Sequence, residues 1–145
     1  MPRNWLVLTT LLLYAALAGA YFDEWWHADE RVESFFTPPH AVIYLSVFLN
    51  GMIILAAVFR QARKMGHFSP SEMVGSQDLA LEGTGSLFQL VAGGFDMLYH
   101  EWVGFDVSIW SPPHLMAIFG AWISAMGFAR LWLREKNPKG SAIGY

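Results

Sequence analysis

Apolar residues run almost without interruption from Trp5 to Tyr21, from Ala41 to Phe59 and from Leu115 to Leu133, the last broken only by Arg130. A fourth stretch, Leu79 to Tyr99, is weaker because it contains Glu82, Gly83, Gly85, Gln89 and Asp96. An apolar bilayer core of about 30 Å needs a helix of about 20 residues, and all four stretches come close to that length. The pattern predicts an all-α integral membrane protein with four spanning helices. The first stretch also has the outline of a secretory signal, with Arg3, an apolar run and Ala18-Gly19-Ala20. Cleavage after Ala20 would strip the helix that presents Asp23 and His27, so a retained helix is expected.

The weak fourth stretch is rescued by an internal repeat. Phe22-Asp23-Glu24-Trp25-Trp26-His27 is followed by Thr37-Pro38-Pro39-His40, and Phe95-Asp96-Met97-Leu98-Tyr99-His100 by Ser111-Pro112-Pro113-His114. Each copy then enters a long apolar run that ends at Arg60 or Arg134. Such self-similarity sets the architecture. Repeat one covers 4–64 and repeat two 79–138, with a linker at 65–78, all within one membrane domain, 1–145. Each copy holds an even number of helices, so the two should be parallel repeats about an axis along the membrane normal. The expected product is a four-helix bundle. Small residues such as Gly51, Gly93, Gly94, Gly120, Ser124 and Gly127 would let its helices approach closely or build an oligomer interface.

Composition agrees. The 145 residues are 54% hydrophobic and only 14% charged, against roughly 25% charged in soluble domains. A net charge of −3 without any basic cluster argues against nucleic-acid binding. Cysteine is absent, which excludes a disulfide, a thiolate nucleophile and a thiolate metal ligand.

The charges sort by end. Arg3, Arg60, Arg63, Lys64, Arg130, Arg134, Lys136 and Lys139 lie at the termini or in the central loop, and only Arg31 lies elsewhere. The positive-inside rule then places both termini and the 65–78 linker in the cytoplasm. Asp23, Glu24, Asp29, Glu30, Glu33, Asp96, Glu101 and Asp106 gather at the opposite end with His27, His40, His100 and His114, leaving His67 behind. In a cytoplasmic (inner) membrane that end faces the periplasm or exterior. Trp25, Trp26, Trp102 and Trp110 fit an outer aromatic belt, and Trp5 and Trp132 an inner one.

Asp23 and His27, like Asp96 and His100, are spaced to stack on one helix face within reach of one ion. The Pro-Pro pairs start the next helices and set His40 and His114 in their opening turns. Each repeat therefore offers a two-histidine, one-carboxylate set suited to copper, non-haem iron or zinc. Glu33 and Asp106 are candidates for extra ligands or for partners that orient an imidazole, and Glu101 joins them as a proton relay. For any one of these residues a hydrogen bond or ion pair is the simpler reading. Ionisable groups near lipid are costly and usually functional, and here the whole set occurs twice.

These residues carry a resemblance. Phe22 to Arg60 resembles the C subunit of the copper membrane monooxygenases, the particulate methane and ammonia enzymes, which have D-x3-H-x12-H before a helix in a T-P-[SP]-H context. Asp23, His27 and His40 match it, and Phe36-Thr37-Pro38-Pro39-His40 supplies the context. The second half is similar to the family's later motif, an amide residue followed by x3-H-x13-H, at Asp96, His100 and His114. The likeness covers about two-thirds of the chain. It implies copper at Asp23, His27 and His40, in a family whose subunit works beside two others. The family subunit is longer, and Asp96 stands where the methane enzymes have asparagine, so the second site should be harder and more anionic. The chain reads as a shorter, stand-alone relative.

Three functions are open to the sequence. The first is an O2-dependent oxidoreductase acting on a small apolar substrate that arrives through lipid. The second is a non-catalytic copper or zinc module, such as a chaperone or transport component. Against transport, the helix centres show no polar track beyond Gln89 and Asn50. The third is a zinc-dependent membrane hydrolase. Lipid is the expected surrounding, with a homo-oligomer or other membrane subunits as partners.

Overall fold

The computed structural model of the protein describes residues 1–29, 36–66, 77–104 and 110–136. Glu33, Asp106, His67 and most of the linker lie outside them. The described residues form four helices: α1, Arg3–Ala28; α2, Pro38–Met65; α3, Gln77–Val103; and α4, Pro112–Lys136. At about 1.5 Å per residue each is about 40 Å long, enough to cross an apolar layer of about 30 Å with a turn to spare.

Local chemistry sets the ends. Thr37 caps α2, its hydroxyl accepting from the His40 amide at 3.4 Å, while Pro38 and Pro39 occupy the first turn. Proline costs nothing there, because first-turn N–H groups have no helical partner. Gly66 closes α2 and Gly104 follows α3, at φ 75° and 95°, a left-handed region that glycine enters without strain.

Consecutive helices run antiparallel. α3 and α4 share the largest interface, then α1 and α2, then α2 and α3, while α1 barely touches α4. One end of the bundle collects Asp23, His27, His40, Asp96, His100 and His114. The other packs Ile54, Ala57 and Leu79 against Met1, Trp5 and Leu131.

Three helices, α1, α2 and α4, are long and apolar enough to cross a membrane. Their surface is apolar outward: Leu11, Tyr14, Leu17, Leu45, Phe48, Phe59, Phe119, Trp122 and Leu133 are all exposed. The interior is polar: Thr9, Ser46, Asn50, Asp78, Glu82, Ser86, Asp96 and Ser124 are buried. A water-soluble fold has the opposite arrangement; surrounding lipid explains this one. α3 is as long as its neighbours but more polar, and its Asp78, Glu82, Ser86 and Asp96 are buried. Its outward residues, Leu87, Val91, Phe95 and Leu98, are as apolar as theirs.

Lipid supplies no hydrophobic force to press helices together, so contact depends on close packing of small residues. α3 and α4 meet backbone to backbone. A Cβ on Gly120 would lie 2.9 Å from the Gly85 carbonyl, and one on Gly127 would lie 2.5 Å from the Glu82 amide. Of the small residues singled out from sequence, Gly120, Ser124 and Gly127 form this seam, and Gly93 receives Tyr44. Gly94 faces open space.

Candidate metal centre

The first set is assembled by the last two turns of α1 and the first of α2. Helical spacing stacks His27 one turn above Asp23, and the Thr37 cap with its prolines holds His40 at the matching level of α2. Asp23 uses both oxygens: Oδ1 is 3.3 Å from His40 Nε2 and Oδ2 is 3.6 Å from His27 Nε2. One donor atom from each of the three residues lies within 4.8 Å of the other two. Among the described residues this is the one such group of His, Asp and Glu donors.

These separations fit an ion better than direct hydrogen bonds. N–H···O bonds cluster at about 2.9–3.0 Å, shorter than either contact. Nitrogen and oxygen ligands each about 2.0–2.2 Å from a tetrahedral metal stand about 3.3–3.5 Å apart. Asp23 Oδ1 is moreover buried and lacks a hydrogen bond among the described residues. A buried carboxylate oxygen in that state is costly unless a cation or a proton meets it. The donor set, with no sulfur and two imidazoles, suits copper, iron or zinc.

The second set is drawn together at the corresponding ends of α3 and α4. A single oxygen, Asp96 Oδ1, meets both His100 Nε2 at 3.4 Å and His114 Nε2 at 3.6 Å. That oxygen too is buried without a hydrogen bond among the described residues. His100 Nδ1 lies 3.2 Å from the Gly104 carbonyl. A carbonyl only accepts, so Nδ1 is the donor and Nε2 is directed at the carboxylate. Imidazoles that ligate metals are commonly oriented in this way.

Tyr44 joins the two sets and was not legible in the repeat, whose second copy has Ile118 at the matching place. It follows His40 by one turn, their rings 5.6 Å apart. The carboxylates of Asp96 and Asp23 both act electrostatically on its phenol. Gly93 makes room for it: a Cβ there would stand 2.5 Å from Tyr44 Cε1. An open, mainly apolar cavity of about 480 Å³ lies beside it, lined by Phe36, Ala41, Tyr44, Leu90, Gly93 and Gly94. Glu101 is exposed near the end of α3.

The polar interior revises the expectation that the helix centres are featureless. Asn50 Nδ2 donates to Glu82 Oε1 at 2.6 Å and to Ser86 Oγ at 3.1 Å. Nearer the arginine end, buried Asp78 is held by Arg130 Nε at 2.6 Å and Arg134 Nε at 2.5 Å. Both arginines read from sequence as topology signals alone. No protein-family model, curated protein or solved structure matches the chain.

Proposed function

We propose that this is an integral membrane copper protein, related to the C subunit of the copper membrane monooxygenases, that oxidises a small apolar substrate with O2. The observation that carries the reading is the convergence of Asp23, His27 and His40 on one point, with a buried carboxylate oxygen left for an ion. Asp23, His27 and His40 would hold the copper, which supplies one-electron chemistry with O2 when bound. Asp96, His100 and His114 form a second site, more anionic than the family's asparagine-containing counterpart, that favours a harder or more weakly held ion.

The remaining residues serve access and orientation. The apolar cavity beside Tyr44 suits an uncharged substrate entering from lipid. Thr37 and the Pro-Pro pair fix His40, and Gly104 fixes His100. Tyr44 stands one turn from His40, its ring 5.6 Å from the imidazole, at the edge of that cavity. In this reading all four helices span the membrane, both termini are cytoplasmic, the sites face the periplasm or exterior, and further copies or other membrane subunits complete the assembly.

Elemental analysis and copper EPR of wild type, Asp23→Asn and Asp96→Asn test it. Asp23→Asn removes the charge of a ligand. It should cost more than the roughly 10–100-fold in affinity that follows loss of a merely orienting partner, and it should diminish the EPR signal and any oxygen consumption. Asp96→Asn should leave both largely intact. Protein that binds only zinc, with no metal-dependent oxidation under reductant and O2, would make the site a zinc module or hydrolase.

A further inference from the structure

Glu82 is a fully buried acid in the middle of the bundle and has no part in the Asp/His/His sets. It lies fourteen residues from Asp96 along α3, about 21 Å at about 1.5 Å per residue, and none of its surface reaches solvent. An ionisable side chain inside a membrane bundle marks a functional site by default, and its partners say which kind.

Those partners are neutral. Glu82 Oε1 accepts from Asn50 Nδ2 at 2.6 Å, and Oε2 accepts from Ser86 Oγ at 3.3 Å. Ser124 of α4 stands beside the same carboxyl. The charged groups next along the bundle are Asp78, one turn away on α3, and Arg130 and Arg134 of α4, which both pair with Asp78 and whose side chains are 42% and 43% exposed. α2 contributes only Asn50 to the cluster. An ionised Glu82 would be an uncompensated charge in a low-dielectric interior, where the protein's alternative is to neutralise the group.

The hydrogen count points the same way. Asn50 Nδ2 spends both hydrogens, on Glu82 and Ser86, and the Ser86 hydroxyl spends its own on Glu82. Asn50 Oδ1 is buried and receives none from the described residues. A proton on the carboxyl adds a donor to a cluster in which Asn50 Oδ1 has none.

A cavity opens on the arginine side. It measures about 330 Å³ and is lined by Met1, Gln61, Asp78, Leu131, Arg134 and Glu135 among others, and so reaches Asp78, one helical turn from Glu82. We propose that Glu82 is a proton-binding site inside the bundle, loaded and unloaded from the cavity at the arginine end. Its ligand is a proton alone: the site needs no metal and stands whether or not the Asp/His/His sets bind copper.

Infrared spectroscopy of the full chain in lipid vesicles tests this near neutral pH, where water-exposed carboxyls are ionised. Wild type should show the carbonyl stretch of a protonated carboxylic acid, shifting on transfer to D2O. Glu82→Gln should lose that band. Should Glu82→Gln fail to fold, Asn50→Ala provides the assignment: it keeps the acid, removes its partner and should move the band to higher frequency. The same spectrum is expected from His27→Ala, which separates the result from the fate of the metal reading. Absence of the band in wild type would overturn the proposal, as would a band that stays put in D2O, the mark of a locked structural acid. A band abolished by sodium would overturn it too, with a metal cation as the occupant instead.

Discussion

The seam between α3 and α4 makes a quantitative prediction, because two glycines of the same helix sit in opposite surroundings. A Cβ on Gly85 would press on the α4 backbone, at the Ser124 amide, at the Gly120 carbonyl oxygen (2.5 Å) and at Ser124 Cα (2.7 Å). Those gaps are roughly 1 Å short of an ordinary contact at about 3.5–4.0 Å. All three neighbours are backbone, so no side chain can swing aside and the helices themselves must part. Overpacking of this kind costs about 1–3 kcal/mol, and replacing a mid-helix glycine returns about 0.5–1 kcal/mol. Gly85→Ala should therefore lose up to about 2.5 kcal/mol. Gly94, nine residues on, meets nothing within 4 Å, so Gly94→Ala keeps only the helix-propensity gain of up to about 1 kcal/mol. Reversible unfolding by SDS in mixed micelles, followed by circular dichroism, measures both. The first triad, on α1 and α2, should keep its metal in either variant. A Gly85→Ala protein as stable as Gly94→Ala would show that α3 and α4 are not in backbone contact, and the packing argument would be wrong.

Two other outcomes follow from the charges. In this cysteine-free chain, single cysteines at Asp29 and Lys136 should differ toward an impermeant thiol reagent in intact cells, with position 29 labelled and 136 protected; the reverse pattern would invert the topology. Asp78→Asn removes the shared partner of Arg130 and Arg134, whose side chains are 42% and 43% exposed. Solvent screening puts the loss at about 1–2 kcal/mol, between exposed pairs at about 0–1 and fully buried ones at about 3–5. The same unfolding assay checks it, and the wild-type margin over Asp78→Asn should shrink in high salt; a margin that salt leaves unchanged would refute the ion-pair account.

Much of the triad end was legible before any coordinates. A repeated Asp-x3-His on a helix face and a proline pair before the next histidine leave little freedom, and the structure brings the expected residues together. What stayed hidden depends on contacts between helices far apart in sequence. Asn50 and Glu82 bond across thirty-two positions and Asp78 and Arg130 across fifty-two, and a hydropathy reading treats each as an isolated blemish in an apolar run. A signal was nonetheless present. Asp78, Glu82, Ser86, Gln89, Gly93, Asp96 and His100 follow one another at intervals of three or four, the spacing of a single helix face. On α2 the buried residues His40, Val47, Asn50, Ile54 and Ala57 keep the same kind of spacing. Tyr44 lies in that stripe too, but as an unremarkable aromatic in an apolar run it gave no sign that it would pack against both His40 and Gly93.

The two copies of the repeat have diverged in a way that gives α3 a special burden. In the first, a Cβ on Gly19 of α1 would meet the side chains of Ile43 and Val42 on α2, as well as the Ile43 amide. In the second, α3 and α4 touch through backbone along a seam from Gly85 to Gly127. That seam frees the opposite side of α3 to face α2, and there the Asn50–Glu82–Ser86 cluster forms. Only α3 carries an acid at the triad end, one in the interior and one at the arginine end: Asp96, Glu82 and Asp78. A segment so polar would be costly to expose to lipid. Each acid is instead turned inward, toward histidines, neutral donors or arginines, while apolar side chains cover the outside. The polarity that weakens α3 as a membrane span is what sets it against both the His100–His114 pair and Asn50 of α2.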